Sequence, residues 1–206
     1  MSNICILIFC EGDTEYNYII SLQRFLRDED CFDFVFYPKN LKGLSFDSYL
    51  KKIKGKIKDT NGKFDHFYIW IDYDIFKRKK TSEEKIKQEI KKIKIPSKMI
   101  LNKPLIIIFN YMNGEDFMVL HYDDNKVSEW KKICSKKKHF ESPMCSTEYM
   151  PLFKEKIKED YKKGEFPHLN VDILNEAIRK SEDKEIEFSS GMADLLKSIL
   201  EKLSSQ

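Results

Sequence analysis

The sequence predicts an α/β protein: a central, mostly parallel four-stranded sheet flanked by helices, with a helical C-terminal extension. Three observations lead there. Four short apolar runs in the first half are strand-sized, and amphipathic stretches separate them, as right-handed crossovers between parallel strands require. After Asn110 no further strand-like run occurs and the apolar spacing becomes helical. The 206 residues are 41% hydrophobic and 13% aromatic, enough for a buried core, while 34% are charged, above the usual share for a globular domain.

Taken in order, Ile4–Cys10 (ICILIFC) is nearly unbroken apolar sequence, as in a strand buried on both faces. Glu11-Gly12-Asp13-Thr14 makes a turn, and Asp13 or Thr14 is expected to cap the next helix. That helix carries Tyr18, Ile19, Leu22, Phe25 and Leu26 on one stripe. Phe32–Tyr37 reads as a second strand, stopped by Pro38. Phe46, Tyr49, Leu50, Ile53 and Ile57 form another helical stripe. His66–Ile71 (HFYIWI) is the third strand and Leu105–Asn110 the fourth, with a lysine-rich helix from Ser82 to about Lys94 between them. Phe67, Trp70 and Phe109 are assigned to the core. Helices are expected at about 114–122, 123–137, 149–163, 170–182 and 190–203, with Pro151 in the first turn of the third, where its missing amide proton does no harm. The sheet domain is placed at 1–122 and the helical extension at 123–206, packed together as one unit.

No apolar run approaches the roughly twenty residues that span a bilayer. Glu11 breaks the N-terminal apolar run, and no basic stretch precedes it, so no secretory leader is expected. Cys5, Cys10, Cys31, Cys134 and Cys145 are scattered, without zinc-like spacing, which points to a reduced, cytoplasmic protein. Net charge is only +3, but residues 77–103 hold eleven Lys/Arg against three Glu, and Lys131–Lys138 adds five lysines. Such runs are either solvated helix faces or patches for a phosphate backbone.

Ligands of open parallel sheets bind outside the carboxyl ends of the strands. Glu11 follows the first strand there, and Asp72 and Asp74 follow the third. Asp72 and Asp74 are alternate residues, so an extended backbone points them to one side, with Tyr73 turned away. Clustered carboxylates repel one another unless a cation neutralises them, and hard oxygen ligands suit Mg²⁺ or Mn²⁺. The bland alternative is that Asp72-Tyr73-Asp74 simply closes the strand before a basic loop.

The segment Ile8-Phe9-Cys10-Glu11-Gly12-Asp13-Thr14-Glu15-Tyr16-Asn17-Tyr18 resembles the EG-x-TE-x-x-Y opening of the RloB-like proteins, small members of the Toprim superfamily related in logic to OLD-type nucleases. Glu11 and Asp72-Tyr73-Asp74 match the superfamily's glutamate and D-x-D in kind and order. Asn110 to Tyr122 is similar to the family's SNP-x-FE-x-W-x-x-x-H-F stretch, with Glu115, Phe117 and His121 at its glutamate, aromatic and histidine positions. There Asn113-Gly114 replaces the usual cysteine-phenylalanine pair, and Asp116 falls where an apolar residue is typical. Asp160-Tyr161-Lys162-Lys163 resembles a later Y-x-K. The resemblance covers residues 4–163, about three quarters of the chain; from Asn170 on no motif matches.

What the resemblance implies is a Toprim-like catalytic domain and a metal-dependent nuclease acting on DNA or RNA, associated with bacterial defence. Asp72, Asp74, Glu11 and Glu115 would hold Mg²⁺ or Mn²⁺, with Glu11 also a possible general base. Glu15 is either a second catalytic carboxylate or support for the first helical turn, and Glu115 either a ligand or a helix N-terminal charge. His121 reads as structural or as a partner behind the ligands. Lys163 would stabilise charge on the scissile phosphate or is one surface lysine among many. Lys77, Arg78, Lys79 and Lys80 would hold the nucleic-acid backbone without reading bases. An ATPase or other defence-system partner and a homo-oligomer are compatible with this reading. Two hundred residues leave little room for the extra domains of a topoisomerase or primase. An inert Toprim module that binds nucleic acid or a partner is the alternative. A haloacid-dehalogenase-type phosphatase ranks last, because two strands precede the D-x-D here and that family places its nucleophile after the first.

Overall fold

The computed structural model describes residues 3–42, 46–58, 63–72, 84–85, 88, 105–110, 112–162, 168–183, 188 and 190–205. It shows a four-stranded parallel sheet of order β2-β1-β3-β4, formed by β1 (Ile4–Cys10), β2 (Phe34–Asn40), β3 (His66–Asp72) and β4 (Leu105–Asn110). Helices α1 (Asp13–Asp28) and α2 (Phe46–Lys58) lie between the early strands. After β4 come α3 (Gly114–Val119), α4 (Asp124–Lys136), α5 (Ser146–Lys156), α6 (Val171–Glu182) and α7 (Met192–Leu203). The predicted lysine-rich helix falls almost entirely outside the described residues. No described helix is long and apolar enough to cross a membrane.

The chain divides into two compact units, Met1–Ile71 with Thr81–Ile108, and Asp72–Lys80 with Phe109–Gln206. In the first, β1 is central. It pairs in parallel with β2, Ile4 opposite Phe34, and with β3, Cys10 opposite Trp70. Burial explains its unbroken apolar sequence, since Ile6 to Cys10 are all at most 1% exposed. The whole α1 stripe of Tyr18, Ile19, Leu22, Phe25 and Leu26 is buried, and Tyr18 meets Trp70 edge to face at 5.4 Å. In α2 the stripe residues Tyr49, Ile53 and Ile57 are buried.

Several boundaries differ from expectation, each for a local reason. The strand β2 runs through Pro38, which pairs with Ile8, instead of stopping there. It is an edge strand, where a residue without an amide proton is tolerated. The N-cap of α1 is Gly12, not Asp13 or Thr14, and the Glu15 carboxylate accepts the Gly12 amide at 3.0 Å. Likewise α5 begins at Ser146, three residues early, because Glu148 accepts the Cys145 amide at 2.8 Å. Pro151 therefore lies inside that helix, which ends at Lys156 instead of reaching 163. Phe67 and Trp70 are core, but Phe109 is only half-buried.

In the second unit α6 packs on α7, and Trp130 of α4 meets Phe153 of α5 at 5.3 Å. Phe153 in turn stacks on Tyr161 at 4.5 Å. Asp123 caps α4 through the Lys126 amide and Asn170 caps α6 through that of Ile173.

Candidate functional site

Within the second unit, three elements bring acidic and phenolic groups together. Asp72 is the last residue of β3 and half-buried; Asn110, the fully buried last residue of β4, donates its side-chain amide to Asp72 Oδ1 at 2.8 Å. Glu115, in the first turn of α3, is 2% exposed. Tyr149 of α5 hydrogen-bonds the Glu115 side chain and lies in the fields of Asp72 and Tyr161. Burial first, and then these neighbours, push the Tyr149 phenol far above its ordinary value, so it stays protonated and donates. Two carboxylates from distant parts of the chain thus act on one buried hydroxyl.

In the first unit, Glu11 follows β1 and is half-buried, its amide donating to the Trp70 carbonyl at 3.0 Å. β1 and β3 run parallel with Cys10 opposite Trp70, so Glu11 leaves the sheet at the carboxyl end of β3's partner strand. Glu15 is 2% exposed and engaged with the Gly12 amide, the helix-supporting task. Its charge, after burial itself, helps hold the Cys10 thiol well above its usual range. Asp74, Lys77, Arg78, Lys79, Lys80 and Lys163 lie outside the described residues, as does Tyr73.

His121 is 6% exposed, with its ring edge-on to Phe117 and Nδ1 against the Phe117 carbonyl at 3.3 Å. Desolvation lowers its pKa to about 4, so it is a neutral, structural histidine near pH 7. Of the second basic run, Lys132, Lys136, Lys137 and Lys138 are exposed.

Sequence spacing gave no sign of a further cluster. Asp116, Cys134 and His139 are buried, and their ligand atoms lie within 4.8 Å of one another, a set that could hold a metal ion. Their hydrogen bonds show what such an ion would have to displace. Asp116 Oδ1 accepts from Trp130 Nε1 at 2.8 Å, and its Oδ2 meets His139 Nε2 at 2.9 Å and the Asn113 amide at 3.2 Å. The Met144 amide donates to His139 Nδ1 at 2.8 Å. A backbone amide only donates, so Nδ1 carries the lone pair of the neutral ring and Nε2 carries the proton given to Asp116. A neutral His139 therefore offers no free nitrogen lone pair while these bonds stand. The group is first a lock that fixes α3 to α4 and to the segment around Met144.

Sequence reasoning missed Tyr149 and the role of Asn110. Asn110 carries a signal only as the start of the third motif, and Tyr149 carries none. Comparison with family models matches residues 6–198, nearly the whole chain, and the chain belongs to the RloB-like protein family. No curated protein and no solved structure matches it.

Proposed function

We propose that this RloB-like protein is a divalent-metal-dependent nuclease of the Toprim type, hydrolysing phosphodiester bonds of DNA or RNA in bacterial defence. The observation that carries the reading is the buried pairing of Glu115 with the Tyr149 hydroxyl, which also lies in the field of Asp72. Asp72 and Glu115 hold Mg²⁺ or Mn²⁺ in this reading. Glu11 and Asp74 are included on their motifs alone. The bound ion supplies activation of water and stabilisation of charge on the phosphate. Tyr149 keeps its proton and donates to Glu115, which orients that carboxylate. Lys77, Arg78, Lys79 and Lys80 follow the D-x-D and contribute non-specific grip on the backbone, with Lys163 as a further cation. An ATPase of the same defence system is the proposed protein partner.

The near-complete burial of Glu115 favours a second reading, an inert module that binds nucleic acid or a partner. One experiment separates them. Asp72→Asn and Glu115→Gln keep side-chain size and remove the charge that a hard ion needs. Each is expected to lower cleavage of single- or double-stranded DNA, or RNA, by roughly two orders of magnitude or more with Mg²⁺ or Mn²⁺. Cleavage that survives chelation, or wild-type activity in both variants, rejects the nuclease. If the wild type cleaves nothing, equal Mn²⁺ affinity in wild type and Asp72→Asn selects the inert module. Cys134→Ala serves as the control that excludes the Asp116–Cys134–His139 group as the source of any metal signal.

A further inference from the structure

The C-terminal helices, from Asn170 on, match no sequence motif, yet the end of the chain reaches the proposed metal ligand. Ser190 lies just ahead of α7, 7% exposed, and forms an isolated antiparallel bridge with Asn110. Its hydroxyl donates to Asn110 Oδ1 at 2.7 Å across 80 residues of sequence. The same hydroxyl oxygen accepts the Met192 amide at 3.2 Å. The Ser190 amide donates to Ser181 Oγ of α6 at 3.0 Å, and the Gly191 amide to the Phe109 carbonyl at 3.0 Å. Ser190 is therefore fixed on three sides, by α6, by α7 and by the end of β4.

The chain has a definite polarity. With the Ser190 hydroxyl pointed at Asn110, the Asn110 oxygen must face Ser190 and its NH₂ group must face Asp72. The reversed amide would set an oxygen against the Asp72 carboxylate oxygen, two acceptors with no proton between them. Asp72 Oδ1 is accordingly tied as an acceptor of the Asn110 amide. We infer that Asn110 and Ser190 are positioning residues for Asp72, a relay by which α6 and α7 orient the carboxylate that closes β3. The inference rests on the proposed metal-dependent activity and adds a task for the C-terminal helices. Partners behind a ligand are worth roughly tenfold to a hundredfold in metal affinity.

The test uses the full chain with Mn²⁺ titrated by electron paramagnetic resonance, alongside thermal unfolding in chelator. Ser190→Ala removes the hydroxyl and frees the Asn110 amide to turn, while Ser190→Thr restores a hydroxyl. Ser190→Ala is expected to weaken Mn²⁺ binding by roughly tenfold, and Ser190→Thr to recover most of it. In chelator, the effects of Ser190→Ala and Asp72→Asn on melting temperature should fail to add, because both break one chain. Wild-type Mn²⁺ affinity in Ser190→Ala, with Asp72→Asn impaired, would overturn the positioning role and leave the nuclease reading standing. Additive melting shifts would also overturn it. If Asp72→Asn binds Mn²⁺ like wild type, the nuclease reading fails and the positioning role falls with it.

Discussion

The two units bury different chemistry. In the first, the buried polar or charged residues among those described are Thr14 and Glu15, both in the opening turn of α1. In the second they are Asn110, Asn113, Glu115, Asp116, His121, His139, Lys180, Ser181 and Ser190. The first unit is thus held by area: each large apolar side chain removed from water contributes roughly 1.5–3 kcal/mol, whichever neighbour it meets. The second keeps a comparable apolar core, with Trp130, Phe153, Leu174 and Leu196 all fully buried, and adds pairings among its buried polar groups. Lys180, 4% exposed at its side chain, contacts Asp124 at 3.0 Å and donates to the Tyr122 carbonyl. A buried polar group is costly when left unpaired, and hydrogen bonds meet that cost at Asn110, Asp116, His139, Lys180 and Ser190. Precise placement is also what a cation site demands. In the proposed reading the chemistry draws on Asp72 and Glu115, both of the second unit.

The strongest way to break the contrast is at Asp116. Asp116→Ala leaves the Trp130 indole N–H and the His139 ring N–H without their acceptor in a site that is 1% exposed or less. The expected loss is about 3–5 kcal/mol of unfolding free energy, as for other broken buried networks. A large-to-small change in the first unit, Leu22→Ala, is expected to cost about 2–5 kcal/mol by cavity formation alone. Asp116→Asn distinguishes the two kinds of loss, because it keeps one acceptor and should recover part of the deficit in urea unfolding. Full stability in Asp116→Ala would mean that the lock around α3 contributes nothing.

How much of this was legible follows the same division. The strands β1, β3 and β4 and the α1 stripe could be read from the sequence, because a repeating apolar pattern is local and each residue reports its own burial. The end of β2 was misjudged because only strand order makes Pro38 an edge residue. The start of α5 was misjudged because Cys145 is an unusual cap and the signal was Glu148, three residues later. Glu115 was nominated by its motif, but Tyr149, its hydrogen-bond partner, lies in another helix with nothing to mark it. Asp116 meets Trp130 and His139 across 14 and 23 residues, and Asn110 meets Ser190 across 80. Such pairs obey no period, so a single sequence carries no trace of them.

An intermediate effect concerns pH. His121 has its pKa lowered to about 4 from 6.5, by burial first and with Lys180 nearby adding to it. Between those values the unfolded chain takes up a proton that the folded chain refuses. Stability therefore falls as pH drops from about 6.5 to about 4, by up to roughly 3 kcal/mol, and is unaffected by this group above that window. Urea unfolding at pH 7 and pH 4.5 should show a steeper acid loss in wild type than in His121→Gln. Parallel losses would show that the second unit's buried histidine is not held neutral by the fold.

The smallest effect tests the first unit's own exception, Glu15. Its carboxylate accepts the Gly12 amide at 3.0 Å at the start of α1, a task that glutamine performs as well as glutamate. Glu15→Gln should therefore preserve stability and, in this reading, cleavage, whereas Glu15→Ala should cost about 1 kcal/mol. A catalytic Glu15 makes the opposite prediction, since glutamine can neither take a proton nor hold a hard cation well. Removing the charge should also ease the Cys10 thiol downward, because Glu15 contributes to its raised value after burial. The change is small in practice, as a fully buried thiol remains shielded from reagents whatever its charge preference. Cleavage lost in Glu15→Gln with unfolding unchanged would move part of the chemistry into the first unit and dissolve the contrast between scaffold and site.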